Sequence, residues 1–134
     1  MNRKIFVNLP VKNVEATKAF FSSLGFEFNP AFSNESGICM VVSEDIYVMH
    51  LSEPFFQGFT PQPIADATQS TEVLVCLSCS SREEVDGLTA KAVAAGGSIY
   101  KEPVDHGFMY GHGFKDLDGH IWELAYMSGM PPQA

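Results

Sequence analysis

Residues 4–25, KIFVNLPVKNVEATKAFFSSLG, combine a strand and a helix with almost no connecting residues. Apolar residues occupy alternate positions at the start of this stretch, which is the period of a strand with one buried face. Asn13 then offers an N-cap, and apolar side chains recur at helical spacing until Gly25, which can end a helix. The stretch therefore predicts a strand that passes directly into a helix over residues 14–24.

Three further strand-like segments follow within the first half of the chain. The last two are joined by a tight hairpin turn at Ser43-Glu44-Asp45. The three segments are FEFNPAF (26–32), ICMVVS (38–43) and IYVMHL (46–51). Together with the first strand and helix, they predict the order βαβββ.

The second half of the chain repeats this order. The segment EVLVCLSC (72–79) alternates like a strand, and Ser81 with Glu84 makes an S-x-x-E capping box before a helix over 82–95. The remaining strand-like segments are SIYKEP (98–103), MYGHGFK (109–115) and HIWELAYM (120–127). Placing Asn13 on Ser81 gives a period of 68 residues, so the same motif is predicted twice.

This repeat predicts an α+β fold in a single domain, 1–134. The domain contains two tandem βαβββ modules, 1–60 and 70–128, that form a pseudosymmetric cleft. The segment between them, 52–70, is rich in Pro, Ser, Thr and Gln but also carries three phenylalanines: Phe55, Phe56 and Phe59. These rings either cover the end of a sheet or line a ligand cleft or subunit contact.

The composition excludes several classes of function. Lys and Arg number 8 against 16 Asp and Glu, and a formal net charge of −8 without a basic cluster argues against nucleic-acid binding. No apolar run approaches the length of a membrane span, and the apolar start of the chain is too short for a signal peptide. Three cysteines without such a signal suit a reducing compartment. We therefore expect a soluble, cytoplasmic protein.

Two segments make the repeated order specific to one family. They are VKNVEATKAFFSSLGF (11–26) and GHGFKDLDGHIWEL (111–124). With them, residues 4 to 127 resemble the vicinal oxygen chelate superfamily, which includes glyoxalase I, extradiol dioxygenases, and the bleomycin and fosfomycin resistance proteins. One scaffold serves many chemistries in such a superfamily, so the site must decide the function.

The resemblance also implies where a metal would bind. In the metal-using members, four side chains from the first and last strands of each half, usually His and Glu, point into the cleft. On this chain the four positions fall on Phe6, Met49, Leu74 and Glu123. Phe6 and Leu74 have no ligand atom and Met49 has only a soft thioether, so three of the four cannot hold a hard or borderline divalent ion. We therefore expect no tightly bound metal. A divalent metal is still possible as a cofactor, and its fallback ligands would be Glu123, His112 and Glu72.

The second hairpin predicts a pair of polar side chains. If Leu117 and Asp118 are its two turn residues, His112 lies directly opposite Glu123, with Tyr110 on the same face. A carboxylate beside an imidazole can act as an acid/base pair, form part of a metal site or anchor a polar substrate. It can equally form an ion pair without chemistry. Glu123 and His112 are the candidate catalytic residues.

Two functions that use a ligand fit these observations, and a purely structural or partner-binding domain is a third alternative. The first is metal-free binding of a small organic molecule in the cleft, as in the resistance-protein branch of the family. The expected cleft residues are Phe6, Asn8, Met49, Leu74 and Tyr110. The second is a metal-dependent lyase, isomerase or dioxygenase that uses Glu123 and His112. By analogy with the family we also expect a homodimer, because open sheets leave edges that pairing can bury.

Overall fold

The computed structural model describes residues 2–129, and its chain divides into two compact units between Asp66 and Ala67. The first unit has the predicted order βαβββ, followed by one short helix. Its elements are β1 (Ile5–Val11), α1 (Val14–Ser23), β2 (Glu27–Phe28), β3 (Gly37–Ser43), β4 (Ile46–Ser52) and α2 (Glu53–Gln57).

The first sheet has the strand order β1-β4-β3-β2, with β1 parallel to β4 and the other neighbours antiparallel. Helix α1 covers one face of it, because the ring of Phe21 on α1 stacks on His50 of β4 with 4.7 Å between ring centroids. Alternate side chains of a strand point to opposite faces. We call the face turned away from α1 the distal face of the first sheet; it carries Phe6, Asn8, Tyr47 and Met49.

The second unit repeats this architecture with the order β5-β8-β7-β6, again with its first and last strands parallel. Its elements are β5 (Leu74–Ser78), α3 (Arg82–Ala94), β6 (Val104–Asp105), β7 (Met109–Lys115) and β8 (Ile121–Met127). Helix α3 packs against β7 and β8, over the fully buried Trp122. The face turned away from α3 is the distal face of the second sheet; it carries Leu74, Cys76, Gly113, Glu123 and Ala125.

The helix ends confirm the predicted repeat. The side chain of Asn13 caps α1 and that of Ser81 caps α3, each by accepting a hydrogen bond from the amide three residues later, at 2.9 and 3.0 Å. Gly25 and Gly96 follow the two helices with φ of 98° and 110°. Such left-handed backbone is accessible to glycine at little cost, so both helices end where the sequence placed a glycine.

One predicted strand is much shorter than expected, and another is absent. In the segment 26–32 only Glu27–Phe28 is a strand, and Pro30–Phe32 forms a 3-10 helix that the Asn29 side chain caps. In the segment 98–103 there is no strand, and Ser98 makes a single isolated bridge to Lys115. Proline fixes φ and lacks the amide donor that a sheet needs, which explains the early end of the first segment.

The turn between β7 and β8 differs by one residue from the prediction. The amide of Asp116 bonds to the carbonyl of His120 at 2.9 Å, so three residues, 117–119, form the loop instead of two. Gly119 has a φ of 88°, as the third loop residue of such a hairpin requires. The Asp116 carboxylate holds this loop by accepting bonds from the amides of Asp118 and His120 at 2.9 and 3.0 Å.

The phenylalanines after β4 lie on and beside helix α2, which packs against β1 and β4. The rings of Phe55 and Phe59 meet edge to face with 5.3 Å between centroids, and both side chains are exposed. Thus α2 packs on the first sheet, while Phe55 on the helix and Phe59 after it stay at the surface. Within residues 2–129, none of the helices is long and apolar enough to cross a membrane.

Candidate functional site

Glu123 is the acidic side chain on the distal face of the second sheet. It lies in the centre of β8, with Cys76 of β5 beside it on one side and Gly113 of β7 on the other. The Glu123 side chain is 23% exposed, whereas Leu74 and Cys76 on the same face are exposed residues. A half-buried carboxylate therefore stands among small and apolar neighbours.

Tyr100 holds this carboxylate. Its hydroxyl donates a short hydrogen bond to Oε1 of Glu123. Gly113 makes the contact possible, because a Cβ at that position would lie 3.2 Å from Cε1 of Tyr100 and 2.4 Å from the carbonyl oxygen of Trp122. The absence of a side chain at Gly113 thus leaves space in which the tyrosine ring can lie against the sheet and reach Glu123.

Lys101 gives the carboxylate a second, looser partner. Its Nζ lies 3.8 Å from Oε1 of Glu123, and its side chain is 49% exposed. An ion pair of this length and exposure contributes little to stability, because water screens it and the long side chain loses freedom. The Tyr100 bond, rather than the ion pair, fixes the orientation of Glu123.

The neighbours of Glu123 are held in their neutral forms. Burial, followed by the hydrogen bond to Glu123, raises the pKa of Tyr100 well above its ordinary value of 10.0. Burial, followed by the negative charge of Glu123, raises the pKa of the Cys76 thiol above 9.0. Near neutral pH, Tyr100 is therefore a hydrogen-bond donor and Cys76 is a thiol with little nucleophilic thiolate.

The distal face of the first sheet is aromatic instead of acidic. The rings of Phe6 and Tyr47 stack with 5.0 Å between centroids and 11° between planes. Asn8 and Met49 are paired next to them on adjacent strands. The side-chain Nδ2 of Asn8 donates a hydrogen bond to the backbone carbonyl of Phe6 at 3.3 Å. The predicted cleft residues of the first half, Phe6, Asn8 and Met49, do share one face of their sheet.

His112 does not lie beside Glu123, which corrects the sequence prediction. Because the hairpin loop has three residues, His112 pairs with Leu124, and Gly113 pairs with Glu123. A shift of one residue moves a side chain to the other face of the sheet. His112 is buried on the face toward α3, and its Nε2 has no hydrogen-bond partner among the described residues.

The same shift removes Tyr110 from the predicted ligand-binding residues. Tyr110 pairs with Tyr126 on the α3 side of the sheet, and its hydroxyl donates to Oδ1 of Asp86 on α3 at 2.6 Å. The guanidinium of Arg82, also on α3, lies 4.9 Å from the centre of the Tyr110 ring. Tyr110 therefore attaches the helix to the sheet.

The four positions implied by the family do not fit a divalent metal. Glu123 supplies the one hard oxygen ligand among them, and Met49 supplies only a thioether. The fallback ligands Glu123, His112 and Glu72 cannot all bind one ion, because His112 and Glu123 lie on opposite faces of the sheet. Glu72 is exposed and precedes β5. Within residues 2–129, no three His, Cys, Asp or Glu side chains are grouped so that they could hold a metal ion.

Sequence reasoning missed Tyr100, Lys101 and Gly113. The apolar pattern of 98–103 predicts a strand, and a strand there does not predict a contact between Tyr100 and β8. A glycine opposite a glutamate in adjacent antiparallel strands is a usable signal, since a missing side chain often marks close approach by another group. That signal could be used only with the correct hairpin register.

The family model described as Glyoxalase/Bleomycin resistance protein/Dioxygenase superfamily matches residues 5–124. Hypothetical protein SA1046 from S. aureus is 30% identical, with a TM-score of 0.79 and 94% of each chain covered. A glyoxalase-related enzyme from Fulvimarina pelagi shares the fold at 21% identity and a TM-score of 0.79, over 100% of this chain and 94% of that one.

The fosfomycin resistance protein FosX from Listeria monocytogenes shares the fold at 20% identity and a TM-score of 0.66, over 100% of this chain and 96% of that one. No curated protein matches the chain. The family match over residues 5–124, together with the two βαβββ units, establishes that this chain belongs to the glyoxalase/bleomycin resistance protein/dioxygenase superfamily.

Proposed function

We propose that this protein binds a small organic molecule on the distal face of the second sheet, with Glu123 as the polar anchor and without a complete set of divalent-metal ligands. The observation that carries the proposal is the half-buried Glu123 carboxylate, which Tyr100 orients and which has the small or apolar residues Leu74, Cys76 and Gly113 next to it on the face. Ligand sites commonly combine an apolar surface with a few fixed polar groups.

A purely structural role explains this arrangement less well. Partial burial of a carboxylate costs desolvation free energy, and the 3.8 Å contact with exposed Lys101 returns little of it. The distal face also leaves Leu74, the first residue of β5, 55% exposed. A bound molecule would remove this apolar surface from water and use the oriented carboxylate.

A fragment screen on the full chain tests the proposal by changes in amide NMR shifts. We expect ligands whose perturbations centre on Cys76, Gly113 and Glu123. Glu123→Ala should weaken polar ligands, whereas Glu83→Ala, an acidic residue on the exposed surface of α3, should not. A screen in which no fragment perturbs this face, or in which both variants behave alike, would contradict the proposal.

The alternative function is a metal-dependent lyase, isomerase or dioxygenase that uses Glu123 and His112. These two side chains cannot act together, because they occupy opposite faces of the second sheet. Thermal unfolding with zinc, nickel, manganese or iron added still tests metal binding directly, since a ligand that binds the folded state raises the apparent stability. We expect at most a small shift. A large shift that Glu123→Ala abolishes would restore a metal-based function.

Homodimer formation and a cytoplasmic location stay predictions. Exposed apolar side chains such as Phe32 and Phe59 support self-association, and the three cysteines of the described structure are free thiols, which suits a reducing compartment. Sedimentation at micromolar concentration tests the first prediction, and a monomer would contradict it. Fractionation of cells tests the second.

A further inference from the structure

We infer that the ligand is a small organic cation, in which an ammonium or similar N–H group binds Oε2 of Glu123 and an apolar body lies along the distal face of the second sheet. This inference rests on the proposed function and specifies the chemical class of its ligand. Three features support it: the hydrogen bonding of the two Glu123 oxygens, the charges of the groups nearby, and the apolar side chains exposed on the face.

The two oxygens of Glu123 have different surroundings. Oε1 accepts the Tyr100 hydroxyl and also faces Nζ of Lys101. Over residues 2–129, Oε2 accepts no hydrogen bond from the protein. An ionised carboxylate only accepts hydrogen bonds, so the free oxygen selects a ligand that carries a donor. A donor that is itself charged makes the shorter and stronger bond.

The charges around Glu123 also favour a cation. The raised pKa values of Tyr100 and Cys76 keep both groups neutral, so neither offers a charge of its own. Lys101 is exposed and lies 3.8 Å from Oε1, so a ligand ammonium can approach the other oxygen without displacing it. The formal net charge of −8 attracts cations and repels anions over longer distances.

The rest of the face suits an apolar body. Leu74, at 55% exposure, and Met127, at 49%, share the distal face with Ala125 and Glu123. Covering such side chains is favourable in proportion to the apolar area removed from water. A ligand with one cationic end and one apolar part would therefore use both features of the face.

Three probes of similar size separate the alternatives: benzylammonium, benzyl alcohol and benzoate. NMR titration of the full chain near neutral pH should give an affinity for benzylammonium about tenfold higher than for benzyl alcohol, with benzoate weakest. The shifts should centre on the amides of Cys76, Gly113 and Glu123. Glu123→Gln should remove the preference, while Glu83→Gln, which changes the net charge equally on α3, should leave it.

A second measurement needs no variant. Added salt should weaken binding of benzylammonium and leave that of benzyl alcohol nearly unchanged, because salt screens the charge interaction alone. Equal or tighter binding of benzyl alcohol or benzoate at this face would overturn the cation inference while the proposed function survives. If none of the three probes perturbs the face, both the inference and the proposed function fail.

Discussion

The first unit places Asn8 and Met49 side by side on its distal face, whereas the second unit places Cys76 and Glu123 at the equivalent pair of positions. Both pairs join the parallel first and last strands of their sheets. The backbone pairing is the same, so the difference between the aromatic face of the first sheet and the face that carries Glu123 lies in residue identity. The repeated fold determines where a side chain points, and each residue then determines the chemistry.

A second equivalent pair shows why Glu123 is accessible to Tyr100. Cys39 faces Met49 in the first unit, and Gly113 faces Glu123 in the second. Cys39 fills its space with a buried side chain, while Gly113 leaves room that Tyr100 occupies. The absence of a side chain at Gly113 thus allows Tyr100, which is distant in sequence, to orient the carboxylate.

The two units also differ in which strand carries the histidine that is buried under the helix. In the first unit, Ile38 on β3 pairs with His50 on β4; in the second, His112 on β7 pairs with Leu124 on β8. At this pair of positions, each unit therefore buries a histidine and an aliphatic side chain under its helix, with the strands exchanged. This pattern indicates that His112 belongs to the core and not to the candidate site.

The largest expected effect tests whether the helix-to-sheet core of the first unit depends on one ring. Phe21 is fully buried and packs on His50, while the equivalent residue of α3 is Thr89, whose hydroxyl bonds to the carbonyl of Val85 at 2.9 Å. Phe21→Ala should lower the free energy of unfolding by about 3–5 kcal/mol, and Thr89→Ala by about 1 kcal/mol. Denaturant unfolding measures both, and similar losses would contradict the comparison.

The next effect concerns the space above Gly113. Gly113→Ala would bring a Cβ to 2.4 Å from the Trp122 carbonyl, so we expect a loss of about 1–3 kcal/mol and displacement of Tyr100 from Glu123. Gly111→Ala is the matched control, because its Cβ would lie an ordinary 3.6 Å from the nearest atom, the Leu124 carbonyl oxygen. Unfolding and the Tyr100 ring signals in NMR report the outcome. Equal effects of the two changes would refute this account.

A third test uses pH to separate the two hairpins, since only the second has a buried carboxylate, Asp116, that also accepts a bond from Trp122 Nε1 at 2.9 Å. Burial raises the pKa of Asp116 above 3.8, against the opposing charge of His120. The stability linked to protonated Asp116 is therefore fully present below 3.8 and is lost as pH rises through the higher folded-state value.

Asp116→Asn removes this titration. The unfolding free energy of the natural protein relative to the variant should fall as the pH rises from about 3 to about 6, by an amount on the order of 1 kcal/mol. A relative stability that increases over this interval would mean that the loop bonds lower the pKa of Asp116 more than burial raises it. Asp45→Asn in the first hairpin is the control, because the Asp45 side chain is 37% exposed.

The smallest effect is expected at His112, which is buried under the helix of the second unit. His112→Ile introduces the residue that the first unit has at the equivalent position, Ile38, and removes a buried Nε2 that has no partner among residues 2–129. Replacement by an apolar group of similar size should change the unfolding free energy by less than about 1 kcal/mol. Fragment binding at Glu123 should be unaffected, and its loss would return His112 to the site.

The sequence was sufficient for the parts of this protein that depend on local patterns. Alternation of apolar residues predicted the long strands, and Asn13, Ser81, Gly25 and Gly96 predicted the helix ends, because caps and left-handed glycines act over a few residues. These elements in order were enough to predict the repeated βαβββ units and the family. The face of Glu123 also followed from alternation within β8.

Only the tertiary structure decided the partners of Glu123. A hairpin loop of three residues instead of two moved His112 and Tyr110 to the helix side, since one residue of register reverses every side chain of a strand. Tyr100 reaches Glu123 from a segment without regular structure, 23 residues away in the chain. Such a contact depends on the space at Gly113 and on the path of a loop, and neither leaves a periodic signal in the sequence.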